Sequence, residues 1–281
     1  MNKYFNAKFF TKIIPPIMCS SFLSFLVRLN FVFFVDKEIF KKNKNLKNTA
    51  EGKRGFLLAT GPSIKKQNLK RLAKSDCFSL SSFFYHKDIK TINPKFHFLA
   101  PYHKPILIKE WKKWVKQADE NLPKETNFVL HVKDKKNILK YKLLKNRQIF
   151  YLYFSKFINL KNDLDITKPL PDMQSSPLMA LPFMIYMGYK EICLVGCDFD
   201  NLKNYGYEIK NFYNQKIQEK KAESKPWYLG IIKELENNLS AIKQFNNYQI
   251  FTKKRNIKII NLSKESWLDF YEKKNFNLMI R

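Results

Sequence analysis

Short apolar runs alternate with longer amphipathic stretches from residue 55 onward. The runs are short enough for buried strands, and the stretches between them have helical periodicity. This alternation predicts an α/β fold: a Rossmann-like, mostly parallel sheet with helices on both faces and ligands beyond the carboxyl ends of the strands. The predicted strands are Phe56–Ala59, Cys77–Leu80, Phe96–Ala100, Asn127–Val132, Gln148–Phe154, Glu191–Asp198 and Ile257–Asn261. The predicted helices are Ile64–Ala73, Lys109–Ala118, Asn137–Leu144, Leu178–Met187 and Tyr228–Phe245.

The first predicted strand ends in a turn that favours anion binding. Gly61 can adopt backbone angles that are closed to other residues, Pro62 fixes its own φ, and Ser63 is a good N-cap. The amides of the following helical turn would then point outward and could bind a nucleotide phosphate. Taken alone, the segment fits an ordinary strand-to-helix connection equally well.

A second segment adds hydroxyl groups and a carboxylate. Ser175 and Ser176 precede a nearly all-apolar helix that ends at Gly188, and the next strand ends in Gly196-Cys197-Asp198. Two serines before a helix are usually only a cap, and an aspartate at a strand end is often structural. Two hydroxyl-lined helix starts that can face each other, together with Asp198, predict a ligand pocket at this edge of the sheet.

The amino-terminal residues 1–50 form a hydrophobic and basic extension. Prolines, serines, Arg28 and Asn30 interrupt the apolar stretch from Ile13 to Val35, so it falls short of a clean ~20-residue membrane span. Its flanking lysines favour association with an anionic membrane surface; packing onto the sheet is the first alternative and a true span the second. The Lys- and Asn-rich stretch from Lys41 to Arg54 is predicted to be a linker, and residues 51–281 a single domain.

Composition narrows the function classes. The chain has 52 basic and 24 acidic residues and a formal charge of +28, but only six arginines, and base readout favours arginine. The charge is therefore attributed partly to the codon bias of an AT-rich genome and partly to surface attraction to anions, and not to nucleic-acid binding. Four cysteines without a Cys-x-x-Cys pair suit a reducing cytoplasm, and four histidines without ligand spacing predict no metal site. The seven glycines form neither a dinucleotide fingerprint nor a phosphate-binding loop.

Four segments together resemble a known family. They are residues 60–65, residues 78–85, Ser175-Ser176 and the stretch from Met187 to Phe199. They are similar to the bacterial sialyltransferases of glycosyltransferase family 42 and, equally, to the 6-hydroxymethylpterin diphosphokinase-like (MptE-like) proteins of surface-polysaccharide systems. The resemblance covers about residues 50–275, and its most specific part is Gly188-Tyr189-Lys190-Glu191-Ile192.

The resemblance implies a GT-A-like variant of the sialyltransferase type that binds a CMP-sugar donor. Where the family has Asn, Asn and Gly, this chain has Thr60, Ser81 and Pro177. The polar, Tyr- and Lys-rich residues 200–227 have the makeup of a lid. The implied substrate-binding residues are Thr60, Gly61, Pro62, Ser63, Ser81, Ser82, Ser175 and Ser176, with Tyr205, Asn211 and Tyr213 from the lid.

The resemblance leaves the general base open. Many MptE-like relatives carry a histidine where this chain has Asn211, so the obvious imidazole is missing from the lid. His86 and His103, in loops after the second and third strands, are the remaining histidine candidates, and Asp198 is the best carboxylate.

The implied function is transfer of a sialic acid-like or related sugar from a CMP-activated donor to a cell-surface glycan acceptor, in lipopolysaccharide or capsule biosynthesis. The enzyme is expected to use no metal and no cofactor, and to lie in the cytoplasm, attached peripherally to the inner membrane through residues 1–50. One alternative is an MptE-like pyrophosphokinase that uses ATP and a pterin and needs Mg²⁺ with paired acidic ligands, of which only Asp198 and Asp200 are evident. The other is an inactive membrane-surface binding protein. The oligomeric state is left open.

Overall fold

The computed structural model describes residues 16–103, 106–160, 164–204, 211–213 and 230–280. Its strands, numbered in chain order, are β1 Arg54–Leu58, β2 Asp76–Leu80, β3 Phe96–Phe98, β4 Asn127–His131, β5 Ile149–Leu152, β6 Phe154–Ser155, β7 Leu170–Pro171, β8 Glu191–Val195, β9 Lys258–Asn261 and β10 Glu272–Lys273.

The α-helices of the described residues are α1 Pro16–Phe34, α2 Glu38–Lys41, α3 Ile89–Ile92, α4 Ile108–Asn121, α5 Lys135–Lys140, α6 Ser176–Tyr186, α7 Ile231–Lys253 and α8 Phe276–Met279. Short 3₁₀ helices span Lys42–Leu46, Pro62–Lys66, Leu69–Leu72, Ser81–Tyr85, Val132–Asp134 and Asn201–Asn204.

Eight of the strands form one sheet in the order β10-β9-β8-β1-β2-β3-β4-β5, and every described pairing in it is parallel. The strand order reverses at β1, which lies between β2 and β8. Such a switch point opens a crevice beyond the carboxyl ends of the two flanking strands. The predicted fold class is confirmed, and all seven predicted strands are present with ends shifted by a few residues.

The sheet is buried on both faces because its side chains alternate between two apolar layers. On β1, Leu57 packs with α6 and α7, whereas Phe56 and Leu58 pack on the opposite face with α4. Helix α6 is buried from Leu178 to Tyr186, as expected for a nearly all-apolar segment in the centre of the molecule. This packing fixes the start of α6 against the carboxyl ends of β1 and β2.

Helix α1 has one buried and one exposed apolar side. Phe31 is buried, and its ring centroid lies 5.3 Å from that of Phe40 and 5.4 Å from that of Tyr153. Phe25 and Phe33 are exposed, at 55% and 72%. Within the described residues, no helix has the length and apolar character needed to cross a bilayer.

The stretch from residue 41 to 54 differs from the linker expected there. It contains a 3₁₀ helix, and its Asn43 is fully buried. The Asn43 side-chain amide donates to the carbonyl oxygens of Tyr151 and Ile166 at 2.9 and 3.0 Å. Composition was misleading because the same Lys and Asn residues suit a solvated loop and the exposed side of a packed segment.

The predicted helix Ile64–Ala73 is replaced by the 3₁₀ helices Pro62–Lys66 and Leu69–Leu72. Its apolar spacing at Ile64, Leu69 and Leu72 buries one side in either conformation, so periodicity could not distinguish them. The last predicted strand residue also shifts: β8 ends at Val195 because Gly196 adopts a left-handed φ of 69°.

Candidate active site

A cavity of about 300 Å³ lies at the switch point, a volume at the lower end of the range for small-ligand sites. The carboxyl ends of β1, β2 and β8 and the start of α6 form its walls. The predicted residues that line it are Thr60, Gly61, Pro62, Ser81, Ser175, Ser176, Asp198 and Asn211.

The turn after β1 requires glycine at position 61 for a steric reason and not for the backbone freedom that the sequence suggested. Gly61 has φ −63° and ψ 153°, which any residue can adopt, and its amide donates to the Gly196 carbonyl at 2.9 Å. A Cβ at this position would lie 2.5 Å from Asp198 Oδ2 and 2.5 Å from the Gly196 oxygen. The close approach of the segment after β8, and not an unusual φ, therefore requires glycine at position 61.

Ser63 does not act as the predicted N-cap, because the 3₁₀ helix already begins at Pro62. Its amide donates to Asp198 Oδ2 at 2.9 Å, and its hydroxyl donates to Asp198 Oδ1 at 2.5 Å, a length typical of a hydroxyl bound to a carboxylate. The helix start that was expected to bind a phosphate thus holds the chain's own carboxylate. The Ser63 hydroxyl also lies 3.0 Å from that of Ser263.

The segment that follows β8 is held tightly. Asp198 is only 6% exposed, and its carbonyl oxygen accepts from the Trp267 amide at 3.1 Å. Phe199 has φ 50°, an unfavourable angle for a bulky residue, and its ring packs 5.5 Å from that of Phe245. The predicted catalytic role of Asp198 stays a prediction, whereas its bonds to Ser63 show that it holds the β1 turn in place.

The end of β2 also carries a left-handed residue. Ser81 has φ 50°, and its hydroxyl lies 2.8 Å from that of Ser176 at the start of α6. A non-glycine residue in this region is tolerated where the surroundings fix it, and such residues concentrate at functional sites. The neighbouring Ser82 is buried outside the cavity lining, and its hydroxyl accepts from Trp114 Nε1 at 3.0 Å.

Ser175 lines the cavity at the start of α6. It is the N-cap residue of α6, but its side chain makes no capping bond. Its hydroxyl oxygen is buried and has no hydrogen-bond partner among the described residues, although the residue lines the cavity. Pro177 follows in the first turn and has no amide hydrogen to donate.

Neither predicted histidine lines the cavity. The ring of His86 stacks on Phe83 with centroids 5.2 Å apart, and its Nδ1 accepts from the Asp88 amide at 3.2 Å. Burial lowers the pKa of His86, so its imidazole is neutral at pH 7. His103 lies exposed in the loop after β3. Their proposed catalytic roles stay predictions.

Part of the predicted lid reaches the site. Asn211 lines the cavity, and the Phe212 amide donates to the Thr60 carbonyl at 3.2 Å. The Tyr213 ring lies 5.6 Å from that of Tyr85, away from the cavity lining. Tyr205 and most of residues 200–227 lie outside the described residues.

Several lining residues were missed by the sequence analysis. Asp200 was considered only as an acidic ligand of the pyrophosphokinase alternative, although its position two residues after Asp198 could have indicated it as a lining residue. Phe245 on α7 and Leu268 after β9 come from distant segments with no local signal. Across the ranges that the structure describes, no group of three or more His, Cys, Asp and Glu residues is arranged to hold a metal ion.

Comparison with known proteins finds similarity only to solved structures. No protein-family model matches the chain, and no curated protein matches it. Among solved structures, the chain is similar to the sialyltransferase CST-II, determined in complex with a trisaccharide acceptor and CMP. The two share 18% identity over 80% of this chain and 88% of that chain, with a TM-score of 0.43.

The close approach at Gly61 predicts a steric penalty for Gly61→Ala. The added methyl would force Asp198 and the β1 turn apart, so we expect the free energy of unfolding to fall by about 2–3 kcal/mol in chemical denaturation. Gly52→Ala is the control: its methyl would enter open space, and only its φ of 76° is unfavourable, at about 1 kcal/mol. Equal losses in the two variants would contradict the steric account.

Proposed function

We propose that the chain is a glycosyltransferase that moves a sugar from a CMP-activated donor to a hydroxyl group of a glycan. The observation that carries the proposal is the meeting of three separate segments in one cavity: the β1 turn, Ser81 after β2, and Ser175-Ser176 before α6. These are the segments in which the sequence resembles the family 42 sialyltransferases. Their convergence at the switch point supports a nucleotide site there.

The reaction we propose breaks one bond and forms another. The acceptor oxygen attacks the anomeric carbon of the donor sugar, the bond from that carbon to the phosphate oxygen breaks, and CMP leaves with the electron pair. The acceptor proton passes to a general base. Hydroxyl donors at the start of α6, with Ser175 free to turn, would stabilise the charge that develops on the leaving phosphate.

The candidates for the general base are Asp198, His86 and His103. Asp198 lines the cavity, unlike His86 and His103, which supports it over the histidines. Both of its oxygens accept from Ser63, so part of the hydrogen-bonding capacity of the Asp198 carboxylate is already used to hold the β1 turn. We therefore propose that Asp198 contributes first by positioning the β1 turn.

The donor is tested by titrating the full chain with CMP, UDP and ATP plus Mg²⁺ in a calorimeter. We expect CMP to bind most tightly. Preference for ATP with Mg²⁺ would instead favour the pterin-type pyrophosphokinase, and a lack of response to all three nucleotides would favour an inactive binding protein. Either result contradicts the proposed transferase.

The position of the site is tested by Ser176→Ala in the same titration. Loss of one hydrogen bond of about 1 kcal/mol should weaken CMP binding about fivefold. Ser75→Ala is the control, since Ser75 precedes the amino end of β2, at the opposite edge of the sheet. Equal CMP affinities in both variants would place the nucleotide elsewhere.

We further propose that helix α1 attaches the protein peripherally to the cytoplasmic face of the inner membrane. The exposed rings of Phe22, Phe25 and Phe33 support this attachment, because aromatic side chains bind well at a bilayer surface. The lysines that flank the helix would add attraction to anionic lipids.

Vesicle flotation tests this attachment. Phe25→Ser with Phe33→Ser should lower the bound fraction on vesicles with anionic lipid, and added salt should lower wild-type binding. Leu139→Ser, at an exposed apolar residue on α5, is the control and should bind as the wild type does. Unchanged binding of the double phenylalanine variant would refute α1 as the contact.

A further inference from the structure

A second and larger cavity, of about 860 Å³, lies on the other side of the β1 turn. It shares Pro62, Asp198 and Asp200 with the candidate nucleotide cavity. The β1 turn and Asp198 therefore form a wall between two compartments of the same crevice. We call the second compartment the lysine cleft, after its lining residues Lys66, Lys264, Lys273 and Lys274.

The remaining lining of the lysine cleft is rich in hydrogen-bonding groups. Gln67, Asn275 and Asn277 contribute side-chain amides. The Gln67 amide nitrogen donates to the Leu262 carbonyl at 2.9 Å, while its buried oxygen has no partner among the described residues. Amides and ammonium groups of this kind suit a ligand that carries both hydroxyl groups and a negative charge.

The carboxylates at the cleft already have partners. Asp198 is bound by Ser63, and Asp200 lies 3.6 Å from the ammonium group of Lys203, which does not line the cleft. Glu265 pairs with Lys66 at 3.8 Å, but both side chains are mostly exposed, so this pair is weak.

The ammonium groups of the cleft are less fully compensated. The ammonium group of Lys273 donates to the neutral Ser266 carbonyl at 2.7 Å, so its positive charge is not compensated by this bond. The ammonium group of Lys274 pairs with Glu272 at 3.1 Å. Within the described ranges, Lys264 forms no ion pair. The cleft can therefore accept an anionic group without first releasing a buried salt bridge.

We propose that the lysine cleft holds the acceptor glycan by an anionic group that the glycan carries, a phosphate or a carboxylate. The inference rests on the proposed transferase, because an acceptor hydroxyl must lie beside the donor sugar, and the cleft adjoins the nucleotide cavity. Lysines act as point charges and do not impose the two-pronged geometry of arginine, so the cleft selects for charge more than for shape.

The proposal is tested with small sugars as probes. The full chain is titrated with galactose 6-phosphate, galacturonate and galactose in a calorimeter, with and without CMP. At least one of the two charged sugars should bind at least tenfold more tightly than galactose, and the tighter one identifies phosphate or carboxylate as the preferred group. Equal binding of all three sugars would overturn the proposal.

Matched lysine variants separate the cleft from the general positive charge of the chain. Lys264→Gln with Lys274→Gln should weaken binding of the charged sugar about tenfold while CMP affinity stays within twofold. Lys124→Gln with Lys136→Gln removes the same charge from residues that line neither cavity and should have no effect. Equal losses in both double variants would overturn the cleft as the site.

The titrations distinguish a failure of the lysine cleft as an anion site from a failure of the proposed transferase. If CMP binds and the charged sugars do not, the lysine cleft is not an anion site, and the transferase proposal stands. If the charged sugars bind and CMP does not, the donor proposal fails, and the cleft loses its role as an acceptor site.

Discussion

The bond between Asp198 and Ser63 organises the crevice of this protein. Two donors of Ser63 bind the two oxygens of one buried carboxylate, which ties the turn after β1 to the segment after β8. The two strands are already neighbours, so the bond acts across the switch point of the sheet. It fixes the wall that divides the candidate nucleotide cavity from the lysine cleft, and both compartments depend on it for their shape.

Two residues near this bond have energetically unfavourable backbone angles. Ser81 and Phe199 adopt left-handed φ values of 50°, which are unfavourable for side-chain-bearing residues. The surrounding structure holds them: Ser81 meets Ser176, and the Phe199 ring packs against Phe245. The buried helix α6 supports the first of these contacts, so the apolar core of the sheet is what allows hydroxyl groups and a carboxylate to converge at its edge.

The elements that could be predicted are those with a local signal. Buried parallel strands are short apolar runs, and α6 is an apolar helix between serines and a glycine, so both were found. The β1 turn, Ser175-Ser176 and Asp198 followed from the position of these elements, whereas Ser81 was implied only by the family resemblance. The structure brings all of them together. The fold class and eight of the seventeen residues that line the candidate nucleotide cavity were thus predicted.

The remainder depends on contacts between distant residues. No local pattern shows that Asp198 would occupy the helix start at Ser63, that Asn43 would be buried against β5, or that Phe245 would close the cavity. The positions of loop residues also depend on contacts between distant parts of the chain. His86 and His103 have side chains suited to catalysis, but the sequence does not reveal the packing that keeps them out of the cavity lining.

The account is tested most directly by a double-mutant cycle on Ser63 and Asp198. The free energy of unfolding is measured for the wild type, Ser63→Ala, Asp198→Ala and the double variant. If the hydroxyl–carboxylate bond organises the crevice, the two substitutions should be coupled by about 1.5–3 kcal/mol, as expected for a hydrogen bond to a charged group. Losses that add to within about 0.5 kcal/mol would show that the bond contributes little, and would contradict the account.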